Sequence, residues 1–144
     1  MSEHDEVPEQ NRAVVRRLVD EVMNAGRLEV LDEIYTPRMA GAARAWIVPF
    51  RAAFPDVHMR VVDLVAEGDK VVGRFLCSGT QTGEWQGHPA TGRRFERVAE
   101  VYFFELHDGR VTRAWGLEDN LSRMRQLGHL PADTTGRHEV ERRA

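Results

Sequence analysis

At 144 residues, 30% of them charged and with a formal net charge of −3, the chain is long enough for one domain with a real core and too short for two. That balance excludes both the basic footprint of a nucleic-acid binder and the bias of a disordered acidic chain. One cysteine, Cys77, excludes a disulfide framework, and no apolar run nears the ~18 residues of a membrane span. With a polar, acidic start and no leader pattern, a soluble cytoplasmic protein is expected, one that binds neither nucleic acid nor membrane. Lys70 is the only lysine, and the excess of arginine reads as coding bias, not phosphate recognition.

Residues 1–10 are polar and Glu-rich and are expected to be flexible. From Asn11, apolar positions Val14, Val15, Leu18, Val19, Val22 and Met23 recur at helical spacing, and Asn24-Ala25-Gly26 stops that helix. A second, shorter helix carries Leu28, Leu31, Ile34 and Tyr35 and ends before Pro37. A third, Ala42 to Phe54, aligns Trp46, Phe50, Ala53 and Phe54, with a kink expected at Pro49.

The apolar period then changes to two. Val57, Met59 and Val61 alternate with polar neighbours, Gly68-Asp69 makes a turn, and a strand follows from Val71 to Ser78. Thr80 to Arg94 is punctuated by Gly83, Gly87, Pro89 and Gly92. Strands Phe95–Leu106 and Arg110–Leu117 flank Asp108-Gly109, a helical turn or two covers Asp119–Gln126, and residues 131–144 form a polar tail. Helices followed by a four-strand antiparallel run make an α+β domain over 11–130, with helices on one face of a curved sheet and a conical apolar pocket between them.

A three-residue hairpin loop at the Asp-Gly turn would pair Leu106 with Arg110, Tyr102 with Ala114 and Glu100 with Gly116. Glu100, Tyr102, Ala114, Gly116 and Glu118 then share one face, and Val101, Phe103, Val111, Trp115 and Leu117 the other. Glu100 and Tyr102 opposite two tiny residues leave room for a flat ligand beside a carboxylate and a phenol. Apolar walls would raise the carboxylate pKa toward useful acid/base values. The alternative is that Glu100 pairs with Arg97 or Arg113 at a wet sheet edge. Asp119 is either a second acid/base or the N-cap of the last helix.

Trp85 could stack on an aromatic ligand, and His88 titrates in a useful range; both could equally pack their loop. Trp46 and Phe50 read as pocket wall or core. Trp115 and Gly116 complete the candidate substrate contacts. The six histidines show no metal-ligand spacing, and no nucleophile or nucleotide motif occurs, so neither a metal nor a cofactor is expected. The apolar outer strip of Val101, Phe103, Trp115 and Leu117 suggests a homodimer through the sheets.

Several fragments resemble the SnoaL-like polyketide cyclases of the NTF2-like superfamily: FRAAFPDV (Phe50–Val57), VAEGDKVVGRF (Val65–Phe75), SGTQTGEWQGHPATGRRF (Ser78–Phe95), the HDGR turn (His107–Arg110), and Trp115…Asp119…Gln126-Leu127-Gly128. The resemblance implies a cone-shaped α+β barrel. It also places Gly116 at the position of the cyclases' acid/base Asp, Tyr102 at that of their His, Ala114 at a second His and Glu100 at a Gln. Because glycine cannot take a carbon-bound proton, the resemblance points to the family's cofactor-independent hydroxylases of aromatic polyketide tailoring. A polycyclic aromatic substrate and a separate reductase would then be partners. Ring-closing cyclase or isomerase chemistry and a non-catalytic binding module are the alternatives.

Overall fold

A computed structural model describes residues 3–131. The first helix, α1 (Glu3–Arg17), begins well before Asn11 and takes in most of the segment expected to be loose. It runs on into a π-helical stretch, Leu18–Asn24, which closes with the Ala25 N–H donating to Asp20 O at 3.1 Å. This wider turn brings Leu18, Val19, Val22 and Met23 inward together. After a 3₁₀ turn (Leu28–Val30), the single turn α2 (Leu31–Ile34) leads through Tyr35 into α3 (Pro37–Ala53). Pro37 therefore opens a helix, the position where its missing N–H and fixed φ cost nothing. The helix continues through Pro49 to Ala53.

Four strands follow in meander order: β1 (His58–Glu67), β2 (Lys70–Thr80), β3 (Arg94–His107) and β4 (Arg110–Glu118), then α4 (Asn120–Gln126). Every pair is antiparallel, and each carries a register shift, near Val61/Asp63, Cys77/Gly79 and Glu105/Leu106. Such bulges bend and twist a sheet, and here they curl it around the helices. Val15, Val22, Ile34, Ile47, Phe54, Phe75 and Phe95 are fully buried between the two layers. This is the expected α+β arrangement. From Ala132 onward the expected polar tail lies outside the described residues.

The last hairpin corrects the expected register. Asp108 and Gly109 both have positive φ (49° and 78°), the two-residue turn that Asp-Gly favours, so His107 pairs with Arg110 and Leu106 with Val111. A bulge at Thr112 then makes the pairs Glu105–Arg113, Phe104–Ala114, Tyr102–Gly116 and Glu100–Glu118. The net slip is two residues, so the face assignment survives for every residue except Val111. That side chain lies on the helix side of the bulge and is buried.

The register organises both faces into rows. The inner face carries Leu64-Gly73-Tyr102-Gly116, and next to it Phe75-Glu100-Glu118. On the outer face, the apolar row Val65-Val72-Phe103-Trp115 lies between Glu67-Lys70-Glu105-Arg113 and Asp63-Arg74-Val101-Leu117.

Candidate active site

Between the helices and the inner face lies a cavity of about 170 Å³. Leu18, Val19 and Met23 of the π-helical stretch wall one side, Met39 and Ala43 of α3 another, and Phe75, Phe104 and Ala114 the sheet side. The chain has two tyrosines, Tyr35 and Tyr102, and both line this otherwise apolar space. A second cleft of about 250 Å³ opens beside it, lined by Trp46, Phe50, Trp85, Gln86, Tyr102 and Glu118. Trp46 and Tyr102 belong to both spaces, their rings nearly parallel (8°) with centroids 6.2 Å apart. They form the boundary between an apolar chamber and a more polar vestibule.

On the vestibule side, the Tyr102 hydroxyl donates to Glu118 Oε1 at 2.8 Å. Burial, with Glu118 and Glu100 close by, pushes the Tyr102 phenol far above its ordinary pKa, so it stays an O–H donor. Behind this pair, Arg123 of α4 is completely buried. Its Nη2 donates to Glu100 Oε2, its Nη1 donates to Asn120 Oδ1, and Nη1 lies 3.8 Å from Glu118 Oε2. The guanidinium sits over Phe95, Phe50 and Trp85, 4.8, 5.3 and 5.6 Å from their ring centres. One cation thus serves two carboxylates. Burial and the Glu118 charge push the Glu100 carboxyl up to about 7, against the pull of Arg123.

The fold holds α4 in place for this. Asp119 accepts from the Ser122 N–H at 3.0 Å, and Gln126 bonds the backbone of Glu96 through both ends of its amide, at 2.8 and 3.1 Å. Arg123 and Leu127, one turn apart, face inward together and are both buried.

Of the residues expected to form the site, Tyr102, Trp46, Phe50 and Trp85 come together around the vestibule. Glu100 lines neither space. It is paired with an arginine, but in the interior and with Arg123, instead of Arg97 or Arg113 at a wet edge. Asp119 caps α4 and also lines neither space, so its carboxylate is engaged with backbone. His88 exchanges backbone hydrogen bonds with Trp85 (3.0 and 2.9 Å) and packs its ring on His129, outside both spaces. Trp115 points to the outer face, stacked on Phe103 at 5.4 Å, and does not contact the cavity. Strand alternation alone already separated it from Tyr102.

Gly116 contributes by having no side chain. A Cβ there would lie 2.5 Å from both Tyr102 Cδ1 and the Val101 carbonyl oxygen, so the tyrosine ring occupies the space that any other residue would need. Sequence alone does not mark Glu118, Arg123 or Tyr35 as site residues. Parity with Glu100 and Tyr102 was the available signal for Glu118, and the Arg123–Leu127 spacing the only one for Arg123.

The comparisons agree with this architecture. The profile of the SnoaL-like polyketide cyclase family matches residues 13–127. The chain is 30% identical over 109 residues to the aklanonic acid methyl ester cyclase DnrD of Streptomyces peucetius, covering 75% of this chain and 72% of that one. TsrD of Streptomyces laurentii superimposes with a TM-score of 0.78 at 31% identity, covering 85% of this chain and 97% of that one. The SnoaL-like structure from Jannaschia sp. CCS1 does so with 0.80 at 28%, covering 91% and 100%. A helix-covered curved sheet, an apolar chamber between the two layers, and sequence similarity through almost the whole described chain lead to one assignment: the protein belongs to the SnoaL-like polyketide cyclase family.

Proposed function

We propose that the chain is an acid–base enzyme of aromatic polyketide tailoring that closes a ring in its substrate, with Glu118 as the base and Tyr102 as the hydroxyl that orients it. The observation that carries this reading is the Tyr102–Glu118 hydrogen bond on the boundary between an apolar chamber and a polar vestibule. The apolar chamber alone is small for a ligand site, where ~300 Å³ is the usual lower bound, so a polycyclic substrate would extend past Trp46 and Tyr102 into the vestibule. Its reacting carbon then lies near Glu118. The carboxylate takes a proton from carbon next to a carbonyl, the enolate carbon bonds to a second carbonyl carbon, and the new alkoxide takes the proton back. No atoms are gained or lost. Similarity to an aklanonic acid methyl ester cyclase supports both the reaction and an esterified aromatic polyketide as substrate.

Hydroxylation is the second reading, favoured by Gly116 at the position that the family resemblance gives to the cyclase aspartate. There Glu118 would ionise a phenol of the substrate and one atom of O₂ would enter the ring, while a separate reductase supplied the electrons that take the other to water. Incubation with aklanonic acid methyl ester, followed by mass spectrometry, separates the two. A product of unchanged mass and new retention time is expected, and a gain of one oxygen would replace cyclisation by hydroxylation.

We propose a homodimer as the working unit. Phe103 and Trp115 stack on the outer face, Leu117 is 82% exposed, and the apolar row is flanked by Glu67, Lys70, Glu105 and Arg113 on one side and by Asp63 and Arg74 on the other. A two-fold axis could set such a surface against its own copy with opposite charges facing. Phe103→Arg is expected to yield a folded monomer by light scattering where the parent is a dimer. A parent that is monomeric at micromolar concentration removes the idea.

A further inference from the structure

Tyr35 is 3% exposed and lines the chamber; among the described residues its hydroxyl makes no hydrogen bond to a protein group, yet it is not among the side-chain atoms shut off from open space, so the oxygen borders the cavity. A hydroxyl set among apolar walls offers its O–H to whatever enters the chamber, and phenylalanine would line the same space without that donor. The position is also rigid. The Tyr35 N–H donates to Leu31 O at 2.9 Å, and the next N–H, of Thr36, donates to Val111 O at 3.1 Å, tying the end of α2 to β4. Burial raises the phenol pKa far above its ordinary value, so the group is a fixed O–H donor at any working pH. Tyr35 lines the apolar chamber and takes no part in the vestibule, where Glu118 lies.

We propose that the Tyr35 hydroxyl is a ligand-binding donor, taking a ketone, quinone or ester oxygen on the end of the ring system that enters the chamber. The inference rests on the chamber being the substrate site and adds a second polar anchor to it. With Tyr102 it would fix the ligand at two places, so the substrate's leading ring carries an oxygen and a bare hydrocarbon edge is disfavoured.

Binding of small probes tests this apart from turnover. A cavity of ~150 Å³ accepts benzene, so 1-indanone and indane, which differ by one carbonyl, suit this chamber. The unmodified protein should bind the ketone more tightly, read by titration calorimetry. Tyr35→Phe should lose about three- to tenfold in affinity for 1-indanone and leave indane unchanged. An equal fall for both probes, no preference in the parent, or no binding of either overturns the proposal. The carbonyl stretch of 1-indanone bound to the unmodified protein needs no variant: a shift to lower frequency than in hydrocarbon solvent is expected, and an unshifted band overturns the assignment. A protein that keeps its ketone preference while Glu118→Gln keeps its turnover would retain Tyr35 and discard the proposed base.

Discussion

Arg123→Met should destabilise the protein by about 3–5 kcal/mol at pH 8, the usual consequence of removing one partner of a buried ion pair. Methionine keeps much of the contact with Phe50, Trp85 and Phe95 but leaves Glu100 in the interior without its cation. The defect should shrink toward pH 5. In the parent, Glu100 already holds its proton more tightly folded (about 7) than unfolded (4.5), so its effect on stability is favourable below 4.5 and is lost as pH rises through 7. Without the opposing pull of Arg123 that loss becomes steeper. Urea unfolding of parent and variant at pH 5 and pH 8 measures the difference directly. A penalty equal at both pH values would show that Arg123 acts through packing and not charge.

Glu118→Gln should instead leave the fold nearly intact and lower turnover by about 10²–10⁴-fold, the range of a general base. Its side chain is only one-fifth exposed, yet the amide oxygen of glutamine can still accept from Tyr102, so geometry is retained while basicity is lost. The loss should fall on kcat with KM little changed. Glu100→Gln provides the contrast: that carboxylate lines neither space, and its replacement should register first in stability, through Arg123. Turnover within a few-fold of the parent in Glu118→Gln would withdraw the assignment of the base.

The difference between these two glutamates marks how far the sequence could be read. Period-two alternation put Glu100, Tyr102 and Glu118 on one face correctly, because a slip of two residues preserves parity. It could not foresee the bulge at Thr112, which has no glycine or proline to announce it and which brings Glu118, not Gly116, opposite Glu100. Arg123 was hidden for another reason. An arginine in a seven-residue polar helix is ordinarily solvated, and only the docking of α4 against β3 through Gln126 and Glu96 turns it inward. Trp46 and Phe50 were legible because helical spacing fixes their side. The open hydroxyl of Tyr35 depends on what every neighbour fails to supply, which no local pattern encodes.

The interlock of Gly116 with the Tyr102 ring also constrains the protein's history. If an ancestor carried an acidic residue at 116, glycine had to appear before the tyrosine ring could lie flat across it. With the ring in place, a side chain at 116 meets Tyr102 and the Val101 carbonyl at 2.5 Å. Return would have to begin at position 102, since the ring must leave before 116 can carry a side chain. Divergence at this strand pair is therefore ordered, and while the tyrosine stays the lineage finds its chemistry in the residues left around it, Glu118 foremost.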